Sequence, residues 1–249
     1  MSSEDQIEFT KENIDLYLKE LAKEYRKHLG KGMSAELTLI GGASVLINYN
    51  FRNMTTDIDA FVHAASSMKE AINKVGDRFG LPNGWLNADF KNTTSYTPKL
   101  EAFSEYYKTF FNVLSIRTVA AEYLIAMKLK AGRQYKSDLS DVLGILAEHD
   151  KKGAPISLEQ VEKAVCDLYG SWDCLSETSQ AFIKNVMADG RFEQLYQQIA
   201  KDEEETKNVL IQIENSYPGT IKETNVDIIA GNLQKSEDRA SIIAKLKHR

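Results

Sequence analysis

Between Ala35 and Phe79 the apolar pattern switches period from two to about three and a half and back, and this alternation restricts the fold of the 249-residue chain more than any other feature. Ala35 to Ile40 is a short β-prone run, Gly41-Gly42 reads as a turn, and Ala43 to Asn50 suits a short helix. Asp57 to Val62 reads as the next strand. Ser66 to Phe79 follows as a helix, with Met68, Ile72, Val75 and Phe79 on one stripe. Strand, glycine turn, helix, strand and helix in succession predict an α/β (α+β) fold, a small mixed twisted sheet flanked by helices.

The flanking segments extend that reading. Ile14, Leu18, Leu21 and Tyr25 recur at helical spacing, which predicts an amphipathic helix over Lys11 to His28 with Thr10 placed to cap it and Gly30 and Gly32 to end it. Gly80 to Pro98 concentrates turn residues and predicts a loop with at most one helical turn. Leu100 to Tyr107 and Phe110 to Ile116 alternate well enough for a hairpin around Lys108-Thr109, and helices are expected over Val119 to Ala131 and Ser137 to Glu148. Lys151 to Pro155 combines charge, glycine and proline, and is the expected boundary between a domain at 1–150 and a helical bundle at 151–249. In the latter, Ser157-Leu-Glu-Gln160 has capping-box spacing. Helices are expected at Leu158 to Gly170, Glu177 to Ala188 and Arg191 to Asn215, with two short ones after Tyr217-Pro218-Gly219 and a frayed end at Lys245 to Arg249. The acidic run Asp202 to Glu205 reads as a solvated helix face.

Composition narrows the functional classes. With 43% apolar residues the chain can bury a core, and a net charge of −5 gives no overall basic field for duplex nucleic acid. Cys166 and Cys174, the only cysteines, match neither a CxxC redox pair nor a zinc site. The polar start, Met1 to Thr10, lacks the character of a secretory signal, and no apolar run approaches the ~20 residues of a membrane span. The expectation is a soluble cytoplasmic protein with no membrane partner.

The chemistry concentrates in Asp57 and Asp59. Residues i and i+2 of a strand share a face and lie ~7 Å apart, so both carboxylates project together with Ile58 behind them. A hard divalent cation relieves their repulsion, and Mg²⁺ is commonly held by one or two carboxylates with phosphates and water in its remaining positions. An Asp-x-Asp at a strand end is also an ordinary turn feature. Gly41-Gly42 between strand and helix lets a phosphate reach backbone N–H groups at a helix N-terminus, or makes a plain tight turn. Read alone, Lys128 is a lysine snorkelling from its helix, and Asp138 and Asp141, three residues apart on one face, suit a helix N-terminus. Trp85, Phe90 and Tyr96 either stack on a base or pin their loop to the core. His63, alone at a strand end, reads as a surface or packing residue.

Gly-Gly-Ala-Ser (41–44) followed by Thr-Thr-Asp-Ile-Asp (55–59) resembles the signature of the DNA polymerase β-type nucleotidyltransferase superfamily, with Ala43 where a serine often stands and Ser44 one residue later. Trp85-Leu-Asn87, the stretch Ala126 to Arg133, and Ser137 to Asp141 are similar to bacterial nucleotidyltransferases related to the abortive-infection toxin group. The resemblance covers residues 35 to about 150. It implies a sheet of nucleotidyltransferase type, Asp57 and Asp59 as Mg²⁺ ligands, and Gly41, Gly42 and Ser44 as a phosphate cradle. It further implies Lys128, with Arg133 as second choice, as the cation that meets the nucleotide phosphates, and Asp141 or Asp138 as an acidic residue closing the site. A third carboxylate is expected from a later strand; Phe110 to Ile116 carries Asn112 instead, while Glu101 and Asp89 lie before it.

The function so implied is Mg²⁺-dependent transfer of a nucleoside monophosphate from an NTP to an acceptor among tRNA, protein and small molecules. The other reading is a nucleotide-sensing or protein-binding module without catalysis, as in a toxin–antitoxin or phage-defence pair.

Overall fold

A computed structural model describes residues 7–28, 34–133, 135–222 and 224–235. It divides by packing into two compact units, the first within Met1–Met127 and Ile156–Cys174, the second within Lys128–Pro155 and Leu175–Arg249. The units interleave along the chain: a helix from the 151–249 segment packs in unit 1, and one from the 1–150 segment packs in unit 2.

Unit 1 opens with strand β1 (Phe9–Thr10) and helix α1 (Lys11–His28), the latter with the bounds its periodicity predicts. At its start Asn13 Oδ1 accepts from the Thr10 N–H at 2.8 Å, the reach-back half of a capping box in which Thr10 holds the N-cap position. Gly30 and Gly32 lie outside the described residues. Strand β2 (Ala35–Leu39) leads into α2 (Gly41–Asn48), so the two glycines form the first turn of the helix instead of a turn ahead of it. Strands β3 (Met54–Thr55) and β4 (Ile58–His63) follow, then α3 (Ser67–Phe79). The expected loop holds β5 (Leu86–Asn87) and 3₁₀ turns at Asp89–Asn92 and Pro98–Phe103.

The hairpin differs from its predicted form. Strands β6 (Ser104–Phe110) and β7 (Leu114–Val119) turn at Phe111-Asn112, three residues beyond Lys108-Thr109. Pro98 starts a 3₁₀ turn capped by the Thr97 side chain, which takes Leu100 out of the strand and delays pairing to Ser104. Phe111 and Asn112 both adopt positive φ (51° and 55°), the backbone a two-residue hairpin turn requires.

The main sheet has the order β5-β4-β2-β7-β6, with β2 antiparallel to β4 and parallel to β7, hence mixed. Cross-strand register and alternation put Leu37, Leu39, Ala60 and Ile116 on one face, where they join α1 and α3 in the core. The other face carries Glu36, Thr38, Phe61, His63, Ser115 and Arg117 in the same register. Trp85 closes the apolar side: fully packed, it donates from Nε1 to the Ile72 carbonyl at 3.0 Å and stacks on Phe9. Unit 1 also takes in α6 (Leu158–Tyr169), which opens with the predicted capping box, and the start of α4 (Ala121–Ala131). Tyr123 and Lys99 both donate to Asp167 of α6, and Tyr169 donates to the Ser95 carbonyl.

Unit 2 is helical among its described residues: the end of α4, α5 (Asp138–Lys151), α7 (Glu177–Asp189), α8 (Phe192–Ser216) and α9 (Val226–Lys235). Helix α5 is buried from Ser140 to Ala147 and packs along α8. A smaller cluster of Leu210, Val226, Ala230 and Leu233 joins α8 to α9. The second short helix and the frayed end expected after Tyr217 reach into residues outside those described. No helix among the described residues is long and apolar enough to cross a membrane.

Candidate functional site

In unit 1 the Asp-x-Asp segment meets the glycine pair at the end of β2. The Ile40 N–H donates to the Asp59 carbonyl at 2.9 Å, which ties the exit of β2 to β4. Gly41 then turns the chain with φ +57°, a conformation that costs other residues strain. A Cβ built on Gly41 would lie 3.9 Å from Asp59 Oδ2, so the carboxylate sits against the first residue of α2. Ile40, at the N-cap, has no side-chain oxygen to offer the first-turn N–H groups.

Gly42 is needed for a different reason. A Cβ there would lie 2.6 Å from Thr55 Oγ1 and 3.1 Å from Arg52 Nη2. Thr55 is buried and held by pairing of β3 with β1, and its hydroxyl donates toward Asp57, at 3.3 Å from the carbonyl. Arg52 Nε donates to the Met54 carbonyl. Thr55 and Arg52, which the sequence reading did not single out, therefore hold the chain between the glycine pair and Asp57.

The two carboxylates differ. Strand β4 begins at Ile58, so Asp57 lies just ahead of it and is exposed, whereas Asp59 is half-buried in register with Asn87 of β5. Ile58, fully buried between them, keeps both off the apolar side. Ser44 does not join them: it is completely buried and its Oγ accepts from the Val119 N–H at 3.2 Å, which makes it a packing contact to β7. Among the described residues no three His, Cys, Asp or Glu side chains gather as a metal site. The donor set of Asp57, exposed, and Asp59, half-buried, is hard oxygen beside an uncapped helix start, which fits a Mg²⁺ ion that keeps water and phosphate ligands.

The aromatic residues of the expected loop are anchored. Phe61 and Phe90 meet edge to face at 4.9 Å and Phe90 meets Tyr96 at 5.6 Å, with Phe61 and Phe90 buried. Together with Trp85 they pin the 85–97 segment to the core. His63, expected to stand alone, contacts Glu101 through Nε2.

Unit 2 gathers the remaining candidates. Lys128 is buried, not a snorkelling surface lysine, and its Nζ lies 2.9 Å from Asp138 Oδ1 and 2.8 Å from Asp141 Oδ2. Arg133 adds a second cation to Asp138, with Nε 2.8 Å from Oδ2. Burial alone would raise the Asp138 carboxyl, but the Lys128 charge and the Arg133 hydrogen bond outweigh it and hold it well below the usual range. Arg133 is in turn held above its ordinary value, because Asp138 outweighs the effect of its own burial.

Glu203 was missed. The run Asp202 to Glu205 read as a solvated face, yet Glu203 is buried and its Oε1 accepts from the N–H groups of Leu139 and Ser140 at the start of α5. Burial pushes its carboxyl up to about 7, the N–H donors and Ser140 oppose this, and the Asp141 charge adds to it. The signal that could have found it is helical spacing: Glu203 shares a stripe with Thr206, Leu210 and Ile213, the buried face of α8.

No curated protein and no solved structure was found to match the chain. The family described as "Nucleotidyltransferase of unknown function (DUF6036)" matches residues 17–176, well over half of the sequence, and takes in β2, α2, β4 and both sets of candidate residues. The chain belongs to this nucleotidyltransferase family.

Proposed function

We propose that the protein transfers a nucleoside monophosphate from an NTP to an acceptor, with Asp57 and Asp59 holding Mg²⁺ and the first turn of α2 receiving the phosphates. The observation that carries this reading is the contact of Asp59 with Gly41, which puts a carboxylate beside an uncapped helix start. A helix N-terminus offers phosphate oxygens directed N–H groups and a favourable dipole. Asp59, fixed through its own carbonyl to Ile40, keeps its position relative to those groups. When bound, Mg²⁺ neutralises charge on the phosphates and on the leaving pyrophosphate.

Ser44 has no part in the cradle in this reading, since its hydroxyl is spent on Val119. Lys128 and Arg133 carry compensated charge, and Asp138 and Asp141 balance them. They stabilise the end of α4 and the start of α5.

A second reading, binding or sensing of a nucleotide without transfer, as in a toxin–antitoxin or phage-defence pair, is favoured by one observation. Among the described residues no third carboxylate joins Asp57 and Asp59. Incubation with α-labelled NTPs, Mg²⁺ and a pool of tRNA, protein and hydroxylated small molecules separates the two. Label on an acceptor with release of pyrophosphate supports transfer; saturable NTP binding with no label moved supports the sensor; neither result rejects both.

A further inference from the structure

The polar face of the sheet carries a second set of groups at its opposite end. Register aligns His63 of β4, Glu36 of β2, Ser115 of β7 and Thr109 of β6 as neighbours on successive strands. Directly paired residues project to the same face, so the four side chains form one row about 14 Å long. All four line an open hollow of about 280 Å³, together with Ser34, Ala35, Val113 and Asn112 of the hairpin turn. Asn112 is held there in a positive-φ conformation, and His63 is held from the other side by Glu101. His63 lies four positions along β4 from Asp59, about 13 Å, so this is not the site of the aspartate pair.

The lining selects a ligand class. Glu36 is half-buried and makes no ion pair among the described residues, and neither Lys nor Arg lines the cavity, which disfavours phosphates and carboxylates. No phenylalanine, tyrosine or tryptophan ring lines it and its apolar side chains are only Ala35 and Val113, which disfavours a nucleobase or a lipid tail. Serine, threonine and asparagine each donate and accept, and a carboxylate accepts from two adjacent hydroxyls at once. We infer that this cavity binds a neutral molecule bearing vicinal hydroxyls, either a free polyol or sugar or the ribose of a nucleoside, with Glu36 accepting from the diol and Ser115, Thr109 and Asn112 completing its hydrogen bonds.

The test is calorimetric titration and saturation-transfer NMR of the full chain with myo-inositol, methyl α-glucopyranoside, adenosine and 2′-deoxyadenosine. Ethylamine and inorganic phosphate serve as charged comparisons. Binding of a diol is expected, weakened about tenfold or more by Glu36→Gln and by Ser115→Ala and unchanged by Asp59→Asn. Circular dichroism and melting of each variant should match the parent, and Thr109→Val gives an independent variant should one fail to fold. Inositol or glucoside binding without adenosine assigns a free polyol; adenosine binding lost with 2′-deoxyadenosine assigns a ribose. No diol binding, binding indifferent to Glu36→Gln, or tighter binding of ethylamine or phosphate overturns the assignment.

Discussion

Each unit contains two aspartates close in sequence, and the two units treat them oppositely. In unit 1 Asp57 is exposed and Asp59 half-buried against Gly41, with the start of α2 and the Arg52 guanidinium beside the glycine pair. In unit 2 Asp138 and Asp141 are buried and matched by Lys128 and Arg133 within hydrogen-bond distance. Carboxylates left open to water can still exchange solvent for a cation and phosphates. Carboxylates already neutralised in the interior have given up that exchange, and breaking their pairing leaves a buried charge. The two pairs thus differ in burial: one lies at or near the surface beside a helix start, the other is enclosed with its counter-charges.

The largest expected effect follows from removing the shared cation. Lys128→Met should cost about 3–5 kcal/mol in chemical denaturation, since it removes from the interior the cation that Asp138 and Asp141 share. Adding Asp138→Asn and Asp141→Asn should recover much of that loss. A change within experimental error in the single variant would mean that this cluster is as solvated as the pair in unit 1.

Gly42→Ala tests the packing of the unit 1 segment. Its Cβ would meet Thr55 Oγ1 at 2.6 Å, so a loss of about 1–3 kcal/mol is expected. Thr55→Ala in the same chain should restore part of it. No recovery would show that the glycine is required for something other than that contact.

Glu203 sharpens the contrast through pH. Its folded pKa, about 7, lies above the ordinary 4.5, so the protonated form favours folding. The stability it contributes is full below the ordinary value and is lost as pH rises through about 7. Asp138 has the reverse sign: its depressed pKa contributes stability above the ordinary carboxylate range that is lost on acidification. Melting curves from pH 5 to 8 should fall for the parent relative to Glu203→Gln, by on the order of 1–3 kcal/mol, and parallel curves would place the Glu203 carboxyl in water. The smallest effect on stability is expected for Asp57→Asn, within about 0.5 kcal/mol in urea denaturation, because the side chain is exposed.

Much of the fold was legible because it rests on local periodicity. Helix α1 has the predicted bounds, and the strand–glycine–helix–strand order appears with edges shifted by one or two residues. The hairpin turn was misplaced because Pro98 and Thr97 build a 3₁₀ turn whose effect on Leu100 lies outside any alternation pattern. At the candidate site, Gly41, Asp57 and Asp59 were readable from residue type and spacing. Ser44 was not, because its hydroxyl is claimed by Val119, a strand 75 residues away in sequence. Lys128 shows a related limit: a helical pattern does not reveal which buried counterpart a charge meets.

In the proposed function Asp57 and Asp59 form a Mg²⁺-dependent nucleotide site beside Gly41. Titration of a fluorescent NTP analogue with and without Mg²⁺, on the parent, Asp57→Asn and Asp59→Asn, tests it directly. Saturable binding that needs Mg²⁺ and is lost in both variants, with melting curves close to that of the parent, is expected. Binding that persists undiminished in both variants, or that ignores Mg²⁺, would contradict it.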